Sequence, residues 1–357
     1  MNTPVQPPVS PMLAKSQPSI PEGDHWRYEP KWDGFRSIIF RHGADVELGS
    51  RNAKPLTRYF PEVVENVLAA FPNDAVVDGE IIVVDANGKL EFELLSQRVH
   101  PAASRVKKLS EEMPALFVAF DLLAIDGEDI SNEPFDARRA RLVAALGDAG
   151  KGIYVTPMTT DPKEADYWFN AWEGAGLDGV MAKKADGVYE QNKRTMVKVK
   201  HERTIDCVVA GFRWHKDGNG VGSLLLGLYD DSGDLHHIGV TASFTAAKRS
   251  ELVDLLKPYQ ENALDDHPWA GWVEMMSASG TADAPQGNRW NAKKDMSWNP
   301  VRIELVVEVA YGHFQGPRIR HAASFRRFRP DREPKSCTYE QVQPPEPASI
   351  VDVLSAT

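Results

Sequence analysis

A lysine, an aspartate-glycine corner and an arginine stand close together in Glu29-Pro30-Lys31-Trp32-Asp33-Gly34-Phe35-Arg36. An amine such as that of Lys31 can act as a nucleophile, and a glycine lets the chain turn sharply. The guanidinium of Arg36 can hold a phosphate or a sugar oxygen with its forked donors. Because so short a pattern also occurs by chance, its meaning depends on the rest of the chain.

Six further segments carry charged or aromatic residues in settings that suit nucleotide chemistry. Acids lie between apolar runs, an aromatic lies within an apolar strand, and lysines alternate with apolar residues. The segments are Ser50-Arg51, Val77-Asp78-Gly79-Glu80-Ile81, Phe117 to Leu123, Asp178 to Lys183, Met196 to Lys200 and Arg329-Pro330-Asp331-Arg332.

In this order the segments resemble the nucleotidyltransferase superfamily of ATP-dependent DNA ligases, RNA ligases and mRNA capping enzymes. The opening Pro11-Met12-Leu13-Ala14 and the stretch from Gly179 to Lys184 are most similar to the bacterial ligase C and ligase D type. The resemblance runs from about Pro11 to Arg332, which is nearly the whole chain.

The resemblance implies three transfers of a nucleotidyl group. Lys31 would attack the α-phosphate of ATP, giving lysyl-AMP and pyrophosphate; AMP would then pass to a 5′-phosphate, and a 3′-hydroxyl would displace it. A free lysine is mostly protonated near neutral pH, and nearby cations favour its neutral form. We expect Lys198, Lys200 and a divalent metal, Mg²⁺ or Mn²⁺, to supply these charges and to neutralise the α-phosphate.

The resemblance also implies contacts to the nucleotide. Arg36 and Arg51 match positions that contact ribose or the nick phosphate, and Glu80 matches a contact to ribose or a metal. Phe120 would stack on adenine, although core packing would also explain an aromatic here. The remaining expected contacts are the backbone at Glu29 and the side chains of Lys183 and Arg194. Lys184 is the alternative for the family lysine, but Lys183 has the better spacing.

Two motifs depart from the family pattern. Asp178 stands where the family has glutamate; both are oxygen ligands suited to Mg²⁺, but aspartate is one methylene shorter. Arg329-Pro330-Asp331-Arg332 resembles the motif Arg-x-Asp-Lys, which orients the pyrophosphate leaving group in relatives. The alternative for this second motif is a basic cluster that touches only the DNA backbone.

The charge distribution is uneven. The chain of 357 residues has a net charge of −10, yet residues 183–203 hold seven Lys or Arg against three acids, and residues 318–335 hold seven against two. Solvated faces would explain such runs, but each one contains or adjoins a motif, which favours phosphate binding. Two cysteines, Cys207 and Cys337, are too few for a four-cysteine zinc site. No apolar run is long enough to span a bilayer, so we expect a cytoplasmic protein.

Hydrophobic patterns predict an α+β first domain of antiparallel sheets and helices. Runs rich in β-branched residues indicate strands at 37–40, 76–84 and 116–125. Helices are expected over Pro61 to Ala70, Asp136 to Leu146 and Pro162 to Glu173.

After about Arg203, short strands with Gly- and Asp-rich turns and one helix over Thr245 to Lys257 fit an OB-fold barrel. Ser277 to Met296 is expected to be a long loop. We therefore predict an adenylation domain over 1–202, an OB-fold domain over 203–335 and a C-terminal tail over 336–357.

The leading hypothesis is an ATP-dependent DNA ligase that acts on nicked double-stranded DNA in repair, as a monomer. A separate repair polymerase or an end-binding protein is an expected partner. The alternatives are an RNA ligase or capping-type nucleotidyltransferase, or a non-catalytic nucleic-acid-binding module. The presence of Lys31, Glu80, Lys198 and Lys200 argues against a module that has lost its chemistry.

Overall fold

A computed structural model describes residues 3–52, 54–100, 102–150, 152–271, 297–342 and 345–355. The chain divides into two compact units: Met1–Lys200 together with Pro344–Thr357, and His201–Gln343. The loop predicted over Ser277 to Met296 lies outside the described residues. Among the described helices, none has the length and apolar character that a membrane crossing requires.

The first unit contains two sheets. One has four strands in the order β1-β10-β9-β2; the other has the order β4-β3-β5-β6-β7, with β8 also paired to β6. All pairs are antiparallel except β1 with β10 and β6 with β8. The strands are β1 Leu13–Gln17, β2 Trp26–Pro30, β3 Phe35–His42, β4 Asp45–Ser50, β5 Asp74–Ile82, β6 Leu116–Ile125, β7 Glu128–Asp129, β8 Ile153–Val155, β9 Val180–Lys184 and β10 Arg194–Val199.

Five helices between these strands belong to the same unit. The α5 helix is capped by Asp161, whose side chain accepts a hydrogen bond from the Lys163 amide, and Pro162 occupies its first turn. The central strand β6 is almost entirely buried, which explains why its sequence is apolar at every position except Asp121. The helices are α1 Pro61–Ala70, α2 Phe92–Gln97, α3 Ala103–Glu112, α4 Phe135–Leu146 and α5 Pro162–Ala171.

The second unit is a closed five-stranded barrel in the order β11-β12-β13-β17-β14, with a separate hairpin of β15 and β16. Its interior is one apolar core, to which one helix, α6 Ala246–Leu256, contributes Leu252 and Leu256. The barrel and the mixed first unit confirm the predicted α+β and OB-fold architecture. The strands are β11 Arg203–Trp214, β12 Val221–Tyr229, β13 Leu235–Ala242, β14 Asn299–Tyr311, β15 Phe314–Gln315, β16 Arg318–Ile319 and β17 Ala323–Phe328.

The last described residues, 345–355, form part of the first unit. They include a short helix, α7 Ile350–Leu354, which is capped by Ser349: the Ser349 hydroxyl accepts a hydrogen bond from the Val351 amide. The Ile350 amide donates to the Gly88 carbonyl at 2.8 Å. The chain therefore completes the core of its first unit with residues that come after the barrel.

A candidate nucleotide-binding site

A cavity of about 320 Å³ lies in the first unit, among the strands that carry the motifs. Its apolar wall includes Pro11 to Ala14, of which Leu13 and Ala14 lie on β1 beside β10, together with Met181 and Met196. Its lining also contains most of the residues predicted from the sequence: Glu29, Lys31, Arg36, Arg51, Glu80, Phe120, Lys183, Arg194, Lys198 and Lys200.

Lys31 comes directly after the end of β2 and is fixed by both its backbone and its side chain. Its amide donates to the Gly179 carbonyl at 2.8 Å, and its carbonyl accepts from the Asp178 amide at 2.9 Å. Its Nζ donates to Asp178 Oδ2 at 2.8 Å, and Lys200 pairs with the same oxygen. Burial alone would raise the pKa of Asp178, but the two ammonium groups outweigh burial and lower that pKa to about 2. Asp178 therefore remains ionised and orients the amine.

The donor set can accommodate a divalent cation that also takes ligands from a nucleotide. Among the described residues, no group of three or more His, Cys, Asp or Glu side chains could hold a metal by itself. Mg²⁺ is commonly bound through one or two carboxylates together with substrate phosphates and water. Glu80 lines the cavity, and Asp178 lies beside Lys31, so these two carboxylates fit such a shared site. Asp178 would have to exchange a lysine partner for the cation.

Gly34 allows the turn after Lys31 to approach β5 closely. A Cβ at this position would lie 2.2 Å from the Ile81 carbonyl oxygen and 2.9 Å from Glu80 Cγ. Only glycine fits this contact without displacing backbone. The Asp-Gly corner therefore brings the lysine segment and Glu80 to the same cavity.

Glu80 provides a prediction about stability. Burial raises its pKa to about 7 from an ordinary value of 4.5, despite the opposing charges of Arg36 and Lys31. The folded state thus binds this proton more tightly than the unfolded state, so the associated stability is complete below pH 4.5 and is lost as the pH rises through 7. Glu80→Gln, which stays neutral, should raise the free energy of unfolding by about 1–3 kcal/mol at pH 8 and by little near pH 4.5. Urea unfolding of both proteins across this pH range measures the difference. A difference in the free energy of unfolding that does not change with pH would contradict the prediction.

Arg36 is held by a residue to which the sequence analysis gave no role. Asp78, fully buried on β5, accepts from Arg36 Nε at 2.7 Å and also from the Tyr189 hydroxyl at 2.6 Å. The same hydroxyl accepts a hydrogen bond from the Met12 amide at 3.2 Å. Burial tends to lower the pKa of Arg36, but the Asp78 carboxylate raises it, so the guanidinium stays charged. This chain of contacts ties Arg36 to the N-terminal wall of the cavity.

Lys183 is buried at the edge of the cavity and is already paired. Its Nζ is 2.8 Å from Glu29 Oε2 and donates to the Phe120 carbonyl at 2.9 Å. Glu29 Oε1 is buried and has no hydrogen-bond partner among the described residues. Because Glu29 lines the cavity, this oxygen is suited to an N–H donor such as the amine of adenine. The Phe120 ring has the Arg36 guanidinium 4.7 Å from its centre and Lys183 Nζ 4.9 Å away.

Further cations converge on the lining. Arg51 and Arg194 are exposed at the cavity, and Lys198 is half-buried. Burial, followed by the charges of Lys200, Lys31 and Arg51, lowers the pKa of Lys198. Such a concentration of positive charge suits the phosphates of a nucleotide or of a DNA end.

The predicted motif in the barrel is arranged around a carboxylate that the sequence analysis also missed. Arg329 binds Asp331 through two donors, at 2.9 and 2.8 Å, and reaches Asp206 Oδ1 at 3.0 Å. Arg332 Nε lies 3.3 Å from the other Asp206 oxygen. The hydrogen bonds from Arg329 lower the pKa of Asp331 to about 2. Asp331 is exposed and Arg332 is half-buried, so both can meet a ligand.

Comparison with known proteins gives consistent matches along the chain. A family model described as "ATP dependent DNA ligase domain" matches residues 11–200, and one described as "ATP dependent DNA ligase C terminal region" matches residues 217–332. The chain is 53% identical over 354 residues to DNA ligase C2 of Mycolicibacterium smegmatis, covering 98% of this chain and 99% of that protein. It is 51% identical over 359 residues to DNA ligase C of Mycobacterium tuberculosis, covering 99% of each.

A solved structure from a study of Lig E DNA ligases is similar in fold. It superposes with a TM-score of 0.56 at 18% identity, covering 90% of this chain and 99% of that one. The similarity supports the predicted α+β fold with its C-terminal barrel.

Proposed function

Because the chain belongs to the ATP-dependent DNA ligase family, we propose that it seals 5′-phosphate/3′-hydroxyl nicks in duplex DNA through a lysyl-AMP intermediate. The observation that carries the proposal is the Lys31 amine inside a 320 Å³ cavity, oriented by Asp178 and accompanied by Lys198 and Lys200. The family uses ATP, forms a covalent AMP intermediate and requires a divalent metal.

The three transfers place different requirements on these residues. Self-adenylation needs a neutral Lys31 amine aligned with the α-phosphate, whose developing charge the lysine cluster and a metal would stabilise. Transfer to the DNA 5′-phosphate needs a site for a second phosphate, for which Arg51 and Arg194 are suited by their exposure at the cavity. The final step needs the 3′-hydroxyl and the activated phosphate to be held in line.

Labelled nucleotides test this proposal and separate it from the alternatives. With α-labelled ATP the protein should acquire a covalent label, and GTP should give little. The labelled protein should then seal nicked DNA faster than nicked RNA. A preference for GTP would favour a capping-type enzyme, a preference for RNA would favour an RNA ligase, and no covalent label with retained DNA binding would favour a non-catalytic module.

We propose a role in DNA repair, as a monomer and in the cytoplasm. A separate polymerase or an end-binding protein remains an expected partner. The similarity to mycobacterial proteins named DNA ligase C extends over nearly the whole of each chain and supports a ligase of this type. The described residues include both the first unit and the barrel.

DNA affinity should depend strongly on salt, because the exposed arginines of the second basic run suit phosphate contacts. Arg318, Arg326 and Arg327 are exposed, whereas Arg320 is half-buried and bonds His313. Each phosphate contact contributes about 0.9 to the slope of log affinity against log salt. Changing the three exposed arginines to Gln should reduce that slope by about 2–3 while ATP-dependent self-adenylation stays near normal. Fluorescence anisotropy with nicked duplex DNA over a series of salt concentrations measures the slope. An unchanged slope would show that the DNA-facing surface lies elsewhere on the protein.

A further inference from the structure

We propose that the C-terminal segment 345–355 positions the lysine nucleophile, with Ile350 and Val353 acting as positioning residues. They act through Trp32 and Leu177, the neighbours of Lys31 and Asp178 in the sequence. The proposal rests on the proposed role of Lys31 in self-adenylation, and it assigns a part in that step to residues that lie beyond the barrel.

The first observation is a shared hydrophobic core. Trp32, Leu177, Ile350 and Val353 all belong to one buried cluster, which also contains the stacked indoles of Trp168 and Trp172. Ile350 is 1% exposed and Val353 is 0% exposed. The α7 helix therefore supplies two fully buried side chains to the core that contains Trp32 and Leu177, the chain neighbours of Lys31 and Asp178.

The anchoring is direct at Trp32. This residue is next to Lys31 in the chain, is 5% exposed, and donates from its indole nitrogen to Thr156 Oγ1 at 2.8 Å. Leu177, also 5% exposed, precedes Asp178, whose carboxylate binds the Lys31 amine. A shift of this core would move the amine and its partner relative to a nucleotide held by the rest of the cavity.

A second observation comes from the backbone against which the segment packs. A Cβ at Gly174 would lie 1.7 Å from the Glu346 carbonyl oxygen and 2.8 Å from the Ala348 amide nitrogen. The segment therefore lies in close contact with the turn after α5, where only a glycine leaves room for it. Two independent substitutions can thus disturb the segment: one at Val353 within it, and one at Gly174 in the turn against which it packs.

The expected defect is confined to one step. Self-adenylation requires an aligned Lys31, whereas sealing of a nick that already carries 5′-AMP does not use the amine. Loss of packing at α7 should lower the rate constant for self-adenylation at saturating ATP but leave the fraction of protein that finally becomes labelled unchanged. General unfolding would instead lower that fraction and the sealing activity together.

The test compares two valines of the same helix in the full chain. Val353 is fully buried and Val351 is 64% exposed, so Val351→Ala is a matched control for Val353→Ala. Val353→Ala should slow single-turnover self-adenylation on the order of tenfold, as expected for a displaced reacting group. Val351→Ala should match the wild type, and Gly174→Ala should reproduce the defect.

Three results would overturn the proposal. The first is an equal rate for Val353→Ala and Val351→Ala. The second is a normal rate for Gly174→Ala, and the third is an equal loss of self-adenylation and of pre-adenylated nick sealing in the buried variants. A wild-type chain that forms no adduct would instead contradict the proposed function itself.

Discussion

Replacing Lys31 with Ala should abolish the covalent protein–AMP adduct, lowering the rate of its formation by at least about a thousandfold. The cavity contains three other lysines, but Lys183 is paired with Glu29, Lys200 is paired with Asp178 and Lys198 lies on β10. None of these amines therefore occupies the position of Lys31 directly after β2. Lys31→Arg should fail equally, because a guanidinium retains its proton near neutral pH. Gel detection of labelled protein after incubation with α-labelled ATP and Mg²⁺ measures the loss.

The same variants should still seal, slowly, a nick that already carries 5′-AMP, because that step does not need the amine. Lys184→Ala, which removes an exposed lysine from β9, should behave as the wild type in both assays. A stable adduct on the Lys31 variants would show that another residue is the nucleophile. Removing Lys31 also leaves Asp178 with one cationic partner, so circular dichroism should accompany the assays.

Local sequence patterns were sufficient to predict most elements of the fold. The α1 helix covers the predicted Pro61–Ala70, and β6 covers the predicted Leu116–Ile125. Pro61 at a first turn and an apolar run buried on both faces are signals that depend on neighbouring residues only. The barrel could also be inferred from local turns, since Gly- and Asp-rich corners separate β11, β12 and β13.

The members of the cavity were predictable from motif order, but their partners were not. Asp78 and Glu80 lie two residues apart on β5 and so share a face of the sheet, which the pattern could indicate. Whether the buried Asp78 holds Arg36 depends on the pairing of β3 with β5 and on Tyr189, which is 111 residues from Asp78 in the chain. Asp206 is similar, because an acid within the apolar β11 gains a role only when Arg329 folds over it.

Local sequence patterns also do not predict the packing of α7. Residues 345–355 include prolines and a short apolar stretch, a composition typical of an unattached tail. Their burial depends on a core made from residues near positions 32, 82, 118 and 168, all far away in the chain. A short apolar segment becomes ordered only if a distant surface offers enough apolar area to offset its conformational entropy.

Replacing Asp331 or Arg332 with Ala should impair self-adenylation by about a hundredfold and sealing of a pre-adenylated nick by much less. The family resemblance implies that this motif orients the pyrophosphate leaving group, which exists only in the first transfer. Arg329 is paired with both Asp206 and Asp331, whereas Arg332 approaches only Asp206 of these two acids. Arg332 is therefore the member of the motif better placed to bind a phosphate. Asp331 would serve mainly to fix Arg329 and, with it, the turn that carries Arg332.

The two steps must be measured separately, with labelled ATP for the first and a synthetic 5′-adenylated nick for the last. Asp231→Ala, which removes an exposed acid from a turn of the same unit, is the matched control and should leave both steps unchanged. Equal losses in the two assays would support the alternative that the motif only contacts the DNA backbone. The two assays must be separate because pyrophosphate is released only in the first transfer, whereas the DNA phosphates are bound in the later ones. A defect confined to the first step would show that Arg332 serves the nucleotide.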